Sequence, residues 1–155
     1  MIPEQAEIRF ALVGVSSEVS RLTQPGAESC YCFEDFSEVC PREIPAQLTE
    51  TPNLLSEAEN EFHFDFRMPF AYKSEKIINV TATKSEQCLG IVQWLKINLF
   101  GDIVYENIPG KATSHWDSNI YLFQNPISIR QGQEIKIHAL LEKDTLWFQC
   151  YEPDN

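Results

Sequence analysis

Apolar and polar side chains alternate with period two through most of this chain, the pattern of strands that bury one face. Ile8, Phe10 and Leu12 alternate with charged or small residues. Glu61 to Arg67 places Phe62, Phe64 and Phe66 on one face and Glu61, His63, Asp65 and Arg67 on the other. This predicts a strand with its Phe face on a core and His63 turned to water. Ile77 to Thr83 is β-branched and strand-prone. Cys88 to Phe100 is longer and more apolar. Leu95, Ile97 and Leu99 share a face there, but Trp94 breaks the alternation before it, which predicts a bulge or bend between Gly90 and Trp94. Gly101-Asp102 turns into Ile103-Val104-Tyr105, and Glu134–Ala139 and Leu146–Cys150 read as closing strands.

Pro, Gly and other turn residues punctuate the chain at 25–26, 41, 45, 52, 69, 109–110, 125–126 and 131–132. Many short strands with regular punctuation predict a sandwich or barrel rather than βαβ units. Helix candidates are few: Asp35–Gln47, broken by Pro41 and Pro45, and a short turn over Leu54–Asn60. The expectation is an all-β chain, a single β-barrel or distorted sandwich of mostly antiparallel short strands, with a short helical arm-like insertion around 35–60. No repeat, low-complexity tract or domain boundary divides it, so residues 1–155 read as one domain.

Composition narrows the function classes. Hydrophobic content of 43% and aromatic content of 12% suit a folded chain. No stretch approaches the about 18 apolar residues of a membrane span, and Met1-Ile2-Pro3-Glu4-Gln5 lacks the apolar core of a secretory signal. A cytoplasmic protein with no membrane partner is expected. The net charge of −11 is uneven: residues 1–70 hold 13 acids against 4 bases, residues 71–155 hold 10 against 8. Between Glu28 and Asp65 ten acids face one base, Arg42. That field repels nucleic acid and attracts Arg/Lys-rich peptides, although an acidic solvated face explains it equally well.

The five cysteines, at 30, 32, 40, 88 and 150, form no Cys-x-x-Cys pair and read as ordinary buried or half-buried thiols. His63, His115 and His138 are scattered without ligand spacing, so no metal site is expected. No nucleophile elbow and no Gly-x-Gly turn occur.

One segment is more specific. Gly110-Lys111-Ala112-Thr113-Ser114-His115-Trp116 is followed by Ile120–Phe123, Pro126–Ile129 and Gly132–Ile135. Upstream stand Ile2–Phe10, Cys32-Phe33-Glu34-Asp35-Phe36 and Gly90–Ile97. In this order the segments resemble the C-terminal β-barrel of the protein arginine methyltransferases, S-adenosylmethionine-dependent enzymes whose loop reads Thr-His-Trp where this chain has Ser114-His115-Trp116.

The resemblance implies a non-catalytic barrel domain that forms one wall of a substrate channel and offers an oligomer contact. It implies Ser114, His115 and Trp116 near the substrate. It implies an N-terminal cofactor-binding domain carrying S-adenosylmethionine, a basic protein substrate and a homo-oligomer. No catalytic, cofactor-binding or metal residue is expected within the chain itself. The segment after Phe36 is shorter than the family's helical arm and carries Pro41 and Pro45. The alternative reading is a stand-alone β-barrel that binds or scaffolds proteins, with no methyltransferase activity.

Overall fold

The alternating segments pair into antiparallel strands throughout: β1 (Gln5–Gly14), β2 (Glu43–Ala46), β3 (Glu59–Asp65), β4 (Lys73–Thr81), β5 (Glu86–Phe100), β6 (Ile103–Glu106), β7 (Ser118–Ile129), β8 (Glu134–Glu142) and β9 (Thr145–Tyr151). The computed structural model describes residues 2–17, 19, 43–46, 48, 51–69, 73–111, 116–143 and 145–151. A large sheet runs β2-β7-β5-β1-β3, with β6 also on β5, and a small one runs β4-β8-β9. The two sheets face each other as an all-β sandwich that does not close into a barrel. Among the described residues no helix is long and apolar enough to cross a membrane.

The core sits between the sheets. Phe10, Leu12, Ile91, Tyr121 and Ile129 of the large sheet meet Val80, Ile135 and Ile137 of the small one. Ile8 and Phe62 extend it against Ala139 and Leu141. The alternation in β8 is the plainest case, since Ile135, Ile137, Ala139 and Leu141 are buried and Glu134, Lys136 and Glu142 are exposed. The reverse face of the large sheet is also covered: Ala11, Val13, Val92, Trp94 and Ile120 pack with Val19 and Leu48.

That second core explains Trp94. β5 lies between β1 and β7 and is buried on both faces from Gly90 to Trp94, so no alternation is visible there. The expected bend between Gly90 and Trp94 is instead a register shift between Cys88 and Gly90. Gly90 serves a close approach, because a Cβ on it would stand 2.0 Å from the backbone oxygen of Tyr121. Asn125-Pro126, expected as a turn, lies within β7. There the register jumps from Leu122↔Gly90 to Ile127↔Cys88, so Pro126 faces no β5 partner needing its missing N–H.

The expected helical turn over Leu54–Asn60 is extended chain. Leu54 and Ser56 bridge Val13 and Ala82, and β3 starts at Glu59. The reason is pairing: Leu12 N donates to Ser56 Oγ at 3.0 Å, and Leu55 N donates to Leu12 O at 2.8 Å. Within the expected arm, 43–46 is strand β2, whereas 35–42, 47, 49 and 50 lie outside the described residues.

Candidate functional site

The segment leading to Trp116 is built from β6 and the turn after it. Ile108-Pro109-Gly110-Lys111 closes with Lys111 N donating to Ile108 O at 3.1 Å, and Gly110 takes φ 76°. Proline second and a positive-φ glycine third are what a type II turn requires. Asn107 anchors the turn from below and is buried. Its Oδ1 accepts from Leu95 N at 2.8 Å, and its Nδ2 donates to Trp116 O at 3.3 Å. The Trp116 ring meets Tyr105 edge-on, with centroids 5.6 Å apart and planes at 87°. An amide and an aromatic edge thus fix the backbone and ring of a tryptophan that still shows half its surface to solvent.

Beside this anchor lies a charged network on the reverse face of the large sheet. Glu106 Oε1 accepts from Trp94 Nε1 at 2.8 Å and from Arg9 Nη1 at 3.2 Å. Arg9 Nη2 also donates to Ala58 O at 3.2 Å. One residue pair further along, Lys96 Nζ meets Glu7 Oε2 at 3.2 Å, and His63 Nδ1 stands 3.8 Å from Glu7 Oε1. These residues face one another because the registers Glu7↔His63, Glu7↔Lys96 and Arg9↔Trp94 place them in cross-strand rows. The network holds β6 and the start of β1 in one geometry.

The end of the large sheet next to this network is apolar and uncovered. Ile2, Met68, Phe100, Ile103, Val104 and Trp116 are each 50–70% exposed. Backbone bonds bring them to one end: Glu4 N donates to Asn98 O at 2.9 Å and Phe66 N donates to Glu4 O at 3.0 Å. Val104 pairs with Asn98 and Ile103 with Phe100 at the β5–β6 hairpin. A cluster of large apolar side chains at one sheet end marks an interaction surface, unlike scattered ones.

Of the site residues expected from sequence, Trp116 stands at the edge of this surface, while Ser114 and His115 lie outside the described residues. Asn107, Tyr105 and Glu106, which position Trp116 and its surroundings, escaped the sequence reading. The signal available was the Asn107-Ile108-Pro109-Gly110 run, a polar residue directly before a Pro-Gly turn.

Other candidates separate in space. His63 meets Glu7, and His138 Nε2 meets Glu75 Oε1 at 2.6 Å on the other sheet. Among the described residues no three His, Cys, Asp or Glu side chains converge as metal ligands. Cys88 is buried and Cys150 half-buried, and burial pushes the Cys88 thiol up to about 12. Cys30, Cys32 and Cys40 lie outside the described residues.

Glu61 departs from its expected solvent-facing position. The β1–β3 register passes from Ile8↔Phe62 to Arg9↔Asn60, so Glu61 is the extra residue of a bulge and is fully buried. Its Oε2 accepts from Gln93 Nε2 at 3.0 Å, while Oε1 has no partner among the described residues. Burial raises its carboxyl from 4.5 to about 8, against the opposing pull of Gln93 and Lys76.

No family model and no curated protein matches the sequence. Among solved structures the chain is similar to one from Trypanosoma brucei, a PRMT1 enzyme-prozyme heterotetrameric complex with AdoHcy, at TM-score 0.70 and 14% identity. The match covers 89% of this chain and 47% of that one. At such identity the likeness speaks for architecture alone. The protein has an arginine methyltransferase-like fold, and it spans about half the length of the solved chain that shares it.

Proposed function

We propose that the chain is the C-terminal, non-catalytic β-domain of an S-adenosylmethionine-dependent, arginine methyltransferase-like enzyme. In this reading it forms one wall of the substrate channel. The observation that carries it is the uncovered apolar sheet end formed by Ile2, Met68, Phe100, Ile103, Val104 and Trp116. A cofactor-binding domain seated there would bury that surface and place Trp116, held by Asn107 and Tyr105, against the channel. The likeness to about half of one chain of the PRMT1 enzyme-prozyme complex supports this.

The described residues themselves do not fit S-adenosylmethionine. Such a cofactor takes a glycine-rich turn between a parallel strand and a helix. Here every strand pair is antiparallel, Gly101, Gly110 and Gly132 sit in tight turns, and Gly90 is pressed against Tyr121. The cofactor therefore belongs to the second domain. This chain's part is to wall the channel, exclude water with Trp116 and keep the network of Arg9, Trp94 and Glu106 rigid behind it. The solved neighbour is heterotetrameric, which favours an oligomer contact here as well.

The test has two arms. Residues 1–155 alone should show no methyl transfer to an Arg-rich peptide, and turnover by them would overturn the assignment of catalysis elsewhere. Ile103→Asp together with Phe100→Asp should leave the isolated chain folded and abolish its capture of the cofactor domain. Undiminished capture would remove the role given to the apolar end.

A further inference from the structure

About 30 Å along β5 from Phe100, at the 3.3 Å rise of a strand, the sandwich opens a second feature that the domain reading does not use. A cleft of about 440 Å³ lies between β7 and β9, with Tyr121, Phe123, Trp147 and Phe148 among its lining residues. That volume takes a side chain or a small ligand. Tyr121 and Phe148 stack at a tilt, 4.7 Å between centroids, and Phe10 continues the aromatic row inward from Phe148 at 6.4 Å. Trp147 alternates with Phe148 along β9 and turns to the outer face, 61% exposed.

Among the described residues, Glu43 of β2 is the one charged side chain in the lining. Register pairing of Glu43 with Tyr121 puts it at the cleft edge, where its Oε1 accepts from Tyr121 Oη at 2.9 Å and from Asn119 Nδ2 at 3.2 Å. Oε2 takes no donor among the described residues. Burial and the neighbouring carboxylate push the Tyr121 hydroxyl well above its ordinary range, so it remains a donor at neutral pH. A carboxylate oriented through one oxygen, with the other open beside aromatic rings, is the complement of an organic cation: charge to the oxygen, apolar stem and cation face to the rings.

We propose that this cleft binds the ammonium or guanidinium end of a Lys or Arg side chain from a basic partner, with the charge on Glu43 Oε2 and the stem against Phe123 and Phe148. The chain's net charge of −11 steers such a partner toward it. The site is independent of the apolar sheet end, so it holds whether or not a second domain covers that surface.

The experiment is a titration of the ¹⁵N-labelled full chain with n-butylammonium, ethylguanidinium and neutral butan-1-ol, followed at the Phe148 and Tyr121 amide signals. Both cations should give saturable shifts there that weaken as salt rises, with the alcohol at least about tenfold weaker for want of the charged contact. Glu43→Gln keeps an acceptor for Tyr121 and removes the charge, and it should weaken cation binding by about tenfold. Trp147→Ala, on the opposite face of β9, should leave binding unchanged. Equal response to the alcohol, indifference to Glu43→Gln, or no response at these two signals overturns the proposal.

Discussion

Gln93 Nε2 donates to Glu61 Oε2 at 3.0 Å between the two sheets, where both side chains are shut away from water. The bond pulls the Glu61 carboxyl down, but burial outweighs it. A carboxyl held at about 8 in the folded chain and at 4.5 when free makes folding pH-dependent. Below 4.5 both states hold the proton and burial costs nothing through ionisation. Between 4.5 and about 8 the unfolded chain releases the proton while the folded chain keeps it, so stability falls as pH rises. The loss is on the order of 1.4 kcal/mol per pH unit across that window. Glu61→Gln should remove this slope: the variant should gain over the wild type as pH rises from 5 to 8, and the gap should stay constant above that. Urea midpoints of the two chains at pH 5, 7 and 9 check this.

Gly90→Ala forces a methyl group to 2.0 Å from Tyr121 O, a contact that only backbone movement relieves. The central strand pair β5–β7 must part or the core on either side must shift. A loss of about 1–3 kcal/mol or more is expected, at the upper end of overpacking effects because the obstacle is backbone. Thermal melts of the purified variant give the number, and an unchanged Tm would contradict the close approach.

Asn107→Ala leaves Leu95 N without its acceptor and frees the Trp116 backbone from its donor. An orphaned buried amide costs about 1–3 kcal/mol. Beyond stability, the Trp116 ring should lose its fixed packing on Tyr105. The Trp116 indole signal should broaden or move toward the random-coil position, while that of Trp147, on the far side of the fold, stays where it is.

Glu106 serves Trp94 and Arg9 through one oxygen. Glu106→Ala should cost about 1.5–3 kcal/mol, the range for hydrogen bonds to a charged group. Trp94→Phe removes the indole donor and leaves a smaller ring in the reverse core, so it should cost more than the about 1 kcal/mol of the bond alone. In a double-mutant cycle the two substitutions should couple, since they cut the same bond. Additive losses would show that the bond contributes nothing to stability.

Much of the fold was legible because the start of β1 and the whole of β8 bury one face. Ile8-Phe10-Leu12 and Ile135-Ile137-Ala139 declare their sides in the sequence. Legibility failed where that condition failed. β5 is buried on both faces, so Trp94 reads as an interruption when it is an ordinary member of the second core. Asn125-Pro126 reads as a turn because sequence alone does not say that the pairing with β5 passes over Phe123 to Pro126 within β7. Glu61 reads as solvated because one bulged residue inverts its face, and no local signal in β3 announces a bulge set by its register with β1. The site was half legible for a similar reason. Trp116 stands out as a residue type in a turn-rich loop, but Asn107, Tyr105 and Glu106 gain meaning only from partners on β1 and β5.

The most direct test of the central claim uses the protein from its source cells. Antibody to this domain should capture a species that contains, beyond the 17.8 kDa of this sequence, a further domain of about 100–200 residues. That species should crosslink to labelled S-adenosylmethionine under ultraviolet light, with the label outside residues 1–155. Capture of a species that holds nothing beyond this sequence and takes up no label would contradict the account.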